Sequence, residues 1–161
     1  MRLFYGKLTV LLLLSTGLLY AYQQTLTLDD LVRDSDRIIR GRVEKLTVRT
    51  GVNEYGDNLI YTDVSLKTDD SLKGPGGNFI LTTEGGQLND VGLAVSDSPR
   101  FRQGEQVVVF AKTAGTKNIP AGGLQSRFTI MSDGYVPEMN MRYGEFKSRI
   151  LDSIRRGGIK K

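Results

Sequence analysis

The chain has 161 residues, a formal net charge of +4, and no His, Cys or Trp. Those absences exclude a Ser-His-Asp triad, a Cys-His dyad, an imidazole zinc site, a disulfide, an iron–sulfur cluster and a lipoprotein attachment point, since each needs a side chain that is missing. Carboxylates, Lys, Ser, Thr and Tyr remain for chemistry.

In chain order, residues 1–21 read as an export signal. Arg2 and Lys7 make a positive n-region, and Leu8 to Leu19 is apolar apart from Thr9, Ser15, Thr16 and Gly17. Ala21 supplies a small residue for cleavage, although Leu19 is large for the position two residues before it. The competing reading is an uncleaved anchor, which takes about 20 apolar residues. Cleavage after Ala21 leaves 140 residues, enough for one domain with a packed core. The product is then expected in the periplasm or outside the cell, held together by packing without disulfides.

Thr27 with Asp30 three residues on forms a helix-start pattern, and Leu28, Leu31 and Val32 share a face, so a short helix is expected within Thr25–Asp34. Arg37 to Val48 is β-branched and partly alternating and reads as a long first strand. After a polar loop over Val52–Asn58, Leu59 to Thr68 alternates, with Ile60, Thr62, Val64 and Leu66 on one face. Leu72 to Gly77 breaks the sheet, and Asn78 to Thr83 is a short third strand. Glu84-Gly85-Gly86 opens a loose stretch reaching Pro99, with a weak strand near Leu93–Val95. Gln106 to Ala111 has the continuous apolar run of a strand covered on both faces. Lys112 to Gly123 reads as a loop, and Leu124 to Met131 as the last strand, with Phe128 and Ile130 inward and Tyr135-Val136 extending it. Glu145 to Arg156 is helical, with Phe146, Ile150 and Ile154 at spacings of four and a stop at Gly157-Gly158.

The expected fold is therefore mainly β: a small five- to six-stranded OB-like barrel with a short N-terminal helix and a C-terminal amphipathic helix. The chain divides into a signal peptide over 1–21, a barrel domain with its helix over 22–141, and a helix with a basic tail over 142–161. Loss of Arg2 and Lys7 lowers the charge to +2; the tail from Arg142 carries +5 and the body −3. With the excess in one tail and no basic groove interleaved with aromatics, nucleic acid is not an expected partner. The tail's apolar stripe is read as docking on the barrel in preference to a membrane.

No catalytic, metal or cofactor residue is assigned. Lys73-Gly74-Pro75-Gly76-Gly77 lacks the order of a phosphate loop and precedes a strand. Asn53 to Asn58 lacks calcium-loop spacing and reads as a solvated loop. Asp29-Asp30 and Asp69-Asp70 are sequence neighbours, the first pair explained by the helix cap. Asp63 and Glu84 are the one carboxylate pair that a sheet would bring together, the minimum for a carboxylate hydrolase.

The segments Asp36 to Val43, Ile60 to Val64, Leu72-Lys73-Gly74, Glu84-Gly85-Gly86, Pro99-Arg100-Phe101 and Gly104 to Phe110 together resemble a family of small exported bacterial domains of unassigned function, some found near matrixin-like metalloproteases. More remotely, the order is similar to the netrin-like module of the tissue inhibitors of metalloproteinases, an OB-type barrel. The resemblance implies a barrel, an exported setting and a tendency to bind proteins. The cysteine through which those inhibitors chelate zinc has no counterpart here. The function expected is a non-enzymatic binding module whose partner is another exported protein. The alternatives are an inhibitor or accessory domain for a co-exported metalloprotease, and a carboxylate-based hydrolase. The candidate binding face is Glu84, Gly85, Gly86, Asp90, Asp97, Arg100 and Arg102, in long polar loops on a rigid scaffold.

Overall fold

The structure, a computed structural model, describes residues 25–158. The expected signal peptide, residues 1–21, and the tail end with Lys160 and Lys161 lie outside the described residues.

Helix α1 (Leu28–Asp34) starts on a reciprocal cap: the Thr27 hydroxyl accepts from the Asp30 N–H while the Asp30 carboxylate accepts from the Thr27 N–H. Its other end is held by Lys73, whose ammonium donates to the carbonyls of Val32 at 2.7 Å and Ser35 at 2.5 Å.

Five strands close a ring: β1 (Arg37–Val52), β2 (Asn58–Lys73), β3 (Phe79–Glu84), β6 (Gln106–Ala114) and β7 (Lys117–Pro120). They run in the order β1-β2-β3-β7-β6, and β6 pairs back to β1. Every pairing is antiparallel except that of β3 with β7, which is parallel and limited to Leu81 opposite Asn118. This is the OB-like barrel that the alternation pattern leads one to expect. β8 (Arg127–Ile130) joins the same edge of β6 as β7. Its outer edge is plugged: the Glu138 carboxylate accepts from both the N–H and the hydroxyl of Thr129. Register shifts at Arg40/Gly41 and Val43/Lys45 bend β1 into the curve of the ring.

β6 explains its own unbroken apolar run. Val107, Val109 and Ala111 fill the barrel interior with Ile39, Val43, Val64, Leu66, Phe79 and Leu81. Val108 and Phe110 point the other way, into a second cluster with α1, Phe128, Ile130 and the terminal helix α2 (Tyr143–Gly158). There Phe110, Phe128 and Phe146 meet ring to ring, with centroids 4.9–6.4 Å apart.

Several elements differ from expectation. The Lys112–Gly123 stretch is not a loop: it carries the end of β6 and all of β7, the strand that closes the ring. β2 runs to Lys73, and the strand near Leu93–Val95 is instead β5 (Val91–Leu93), folded back on β4 (Gly86–Leu88) as a hairpin. Residues 123–126 form a 3₁₀ turn, so β8 starts at Arg127, and its Phe128 and Ile130 are buried under the helices and not inside the barrel. β9 (Tyr135–Val136) pairs with β10 (Met141–Arg142) and does not extend β8. Nor do Gly157 and Gly158 stop the last helix, which includes both.

Candidate functional site

One end of the ring is an open mouth. Leu46, Val48, Thr62 and Thr83 line it from the inward faces of β1, β2 and β3, and the β4–β5 hairpin and residues 94–101 arch over it, enclosing about 600 Å³. The arch departs from β3 through paired glycines. Gly85 sits at φ +99°, where a Cβ would come within 2.9 Å of the Leu93 carbonyl, and Gly86 at φ +142°, where it would meet the Thr62 hydroxyl at 2.7 Å. The bend is fixed by hydrogen bonds: the Gly85 N–H donates to Ile60 O at 2.8 Å, and the Thr62 hydroxyl donates to Gly85 O at 2.7 Å. The Ser98 hydroxyl then donates to Glu84 O at 2.6 Å, tying the strap of residues 94–99 across the end of β3.

On the outer side of that strap runs a groove of about 720 Å³ between the β1–β2 and β6–β7 hairpin tips. Tyr61, Thr82 and Glu84 lie along it, with Lys112 and Lys117 on the β6–β7 wall and Asp97 in the strap. Glu84, Val95, Ser98 and Pro99 line both the groove and the mouth, so the two concavities share one partition. At the β1–β2 tip, Asn53 accepts the N–H groups of Tyr55 and Asp57 at 2.9 and 2.8 Å, which presents Tyr55 at 81% exposure on an ordered turn.

Beside the groove sits a charged network. Arg49 donates to Asp63 through Nε at 2.6 Å and Nη2 at 3.2 Å, and the Thr82 hydroxyl donates to the same carboxylate at 2.7 Å. The Arg49 guanidinium and the Lys117 ammonium lie 5.4 and 5.1 Å from the Tyr61 ring centre. Burial pushes the Asp63 carboxyl up, but the hydrogen bonds from Arg49 and Thr82 outweigh it and hold the group below its ordinary value. A depressed carboxyl stabilises the fold above its unfolded value of 3.8, and that contribution fades as pH falls through the folded value. Asp63→Asn is therefore expected to lower stability at neutral pH by about 1 kcal/mol, Arg49 being partly solvent-screened, and to flatten the acid limb. Urea unfolding of both proteins from pH 7 down to pH 2.5 measures this; parallel curves would contradict it.

The structure brings part of the expected face together. Glu84, Gly85, Gly86 and Arg100 line the mouth, and Glu84 with Asp97 lines the groove. Asp90 stands on the turn of the β4–β5 hairpin, and Arg102 lies in the turn before β6, its N–H given to the Glu105 carboxylate at 3.0 Å. Neither lines the mouth or the groove. The groove residues that sequence reasoning did not single out include Tyr55, Lys112 and Lys117. The Gly- and Pro-containing composition of Lys112–Gly123 hides the two lysines, whereas the outward phase of Tyr61 and Asp63 is legible from the alternation of β2.

Asp63 and Glu84 do share the outer face, two residues out of step, since Asp63 opposes Thr82 and Tyr61 opposes Glu84. Asp63, held ionised, is the wrong way round for a general acid at neutral pH. The other carboxyls that depart clearly from their ordinary values also move down: Asp29 through Ser153 and Arg156, Asp30 through Thr27. Among the described residues, no three Asp, Glu, His or Cys side chains converge as a metal site.

The basic tail is largely spoken for. Lys147 pairs with Asp70, Arg149 with Glu145, Arg155 with Asp152 and Arg156 with Asp29, all at 2.5–2.7 Å. Its apolar stripe, Phe146 and Ile150, is fully buried in the helix-side cluster. No helix of the described residues is long and apolar enough to cross a membrane.

A ring of OB-like order, open at one end and grooved on the adjoining flank, defines a small β-barrel with a two-part concave face. No family model matches the chain, and no curated protein matches it in sequence.

Proposed function

We propose that this chain is an exported, non-enzymatic binding module whose partner is another exported protein, gripped across the mouth and the flank groove. The observation that carries the reading is the partition of residues 95–99. It places polar and charged side chains of loops that are tied down by hydrogen bonds between two concavities on a rigid ring. OB-type barrels commonly bind ligands on the face of strands 2 and 3 with the loops that join strands 1–2 and 4–5; here those correspond to β2, β3 and the β1–β2 and β6–β7 tips. That correspondence is an analogy of fold. The pairing of the tail's cations supports the groove over the tail as the contact surface.

The test is photo-crosslinking in the producing cell, with a benzoylphenylalanine placed singly at Glu84, Asp97 or Arg100, and at Arg33 on α1 as a remote control. Positions 84, 97 and 100 are expected to give one common protein adduct that position 33 lacks. No adduct, or the same adducts from all four, would overturn the reading. The resemblance to netrin-like inhibitors supports a metalloprotease as that partner, in which case excess mature domain slows its proteolysis.

A further inference from the structure

Resting on that binding reading, we infer that the flank groove is a two-signed charge clamp. It selects an extended segment of the partner protein that carries a basic and an acidic side chain separated by apolar residues.

The strand register sets the clamp. Lys112 opposes Ile119 and Ala114 opposes Lys117, and all four line the groove, so both lysines project from one wall. Glu84, at the end of β3, and Asp97, in the strap, line the same groove. None of these four charges forms an ion pair with another described residue, whereas Lys147, Arg149, Arg155 and Arg156 of the last helix all do. Unpaired charges also stand elsewhere on the surface, but here these two cations and two carboxylates line one concavity, the charge pattern that a ligand carrying both signs complements.

The backbone in the groove is not available for strand addition in the same measure. Along the far edge of β3, Ile80 O already accepts from the Asn118 amide at 3.0 Å, and Glu84 O accepts from the Ser98 hydroxyl. Recognition therefore falls to side chains. Apolar contact is supplied by Ile119 and Pro120 along the groove and by Val52 and Tyr55 at its end, which are 59% and 81% exposed. Tyr is suited to such an anchor because it buries a large rigid area and keeps a polar tip.

The test uses the mature protein and three end-capped peptides: Lys-Val-Val-Val-Glu, its all-Lys counterpart and its all-Glu counterpart. The mixed peptide is expected to bind at least about tenfold more tightly than either other by titration calorimetry. Its binding is expected to weaken by about the same factor in K112E/K117E and, separately, in E84K/D97K. Equal binding of the three peptides, no binding, or indifference to both charge reversals would overturn the clamp. So would sedimentation of the free protein as a dimer that K112E/K117E dissolves, which would make the occupant a second copy. If crosslinked adducts at positions 84 and 97 persist unchanged in K112E/K117E, the clamp fails and the binding reading stands; if no adduct forms, the binding reading itself fails.

Discussion

Gly41→Ala is expected to be among the most damaging single changes available to this chain. Gly41 is buried in β1 at the Arg40/Gly41 register shift, where β1 curves against β2. A Cβ there would overlap the backbone carbonyl oxygen of Lys67 and approach its carbonyl carbon to 3.1 Å and the Thr68 Cα to 3.3 Å. Backbone cannot swing aside as a side-chain end can, so the strands must separate or the bulge must move. A slip of register would turn the inward set of β1 outward. Overpacking ordinarily costs about 1–3 kcal/mol, and a clash with paired backbone lies at or beyond the top of that range. For a domain near this size, that is a fall in Tm of roughly 10 °C. Gly144→Ala is the matched control: it lies in the first turn of α2 with nothing near the new Cβ, and Ala favours a helix by up to about 1 kcal/mol over Gly. Thermal unfolding by circular dichroism should show the first variant far below wild type and the second level with it or above. Similar melting of the two would contradict the close approach.

Phe146→Ala should cost about 3–5 kcal/mol, as truncation of a fully buried aromatic does. Phe146 is 0% exposed and lies 4.9 Å from Phe128 and 6.4 Å from Phe110, ring centre to ring centre. The truncation opens the space between α2 and the sheet and removes the third ring from the Phe110–Phe128 pair. Urea unfolding followed by tyrosine fluorescence and by circular dichroism should give coincident transitions at a lowered midpoint. A loss under about 1 kcal/mol would mean that the helix is an appendage of the barrel and not part of its packing.

The parts of the fold that were legible in the sequence are those in which one physical pattern acts alone. The alternation of Ile60, Thr62, Val64 and Leu66 is the response of a strand to one dry face, and the structure puts Val64 and Leu66 inside the barrel. The capping pair Thr27 and Asp30 announced α1 by local chemistry. β7 was illegible because its residues, Lys-Asn-Ile-Pro, have no alternation to read. They are held by register with β6 and by one bridge to β3, which are contacts made by topology and not by propensity. The direction of Phe128 and Ile130 was missed for a similar reason. Period two says that they share a face but not which of two apolar layers that face meets. For the candidate site, Glu84-Gly85-Gly86 marks in the sequence where the chain leaves β3, and the positive φ of both glycines makes the bend over the mouth. The opposite wall of the groove could not be seen until β7 was in place.

β6 belongs to two apolar clusters at once, with Val107 and Val109 in one and Val108 and Phe110 in the other. The barrel and its helical cover therefore have no independent melting equilibria. Detaching α2 strips one side of a strand that also holds the ring shut against β1, and opening the ring removes the floor on which α2 rests. The amide hydrogens of the two layers are therefore expected to exchange as a single cooperative unit. Apart from Phe101, the arch and the hairpin tips belong to neither cluster, so a change there leaves both layers of packing intact.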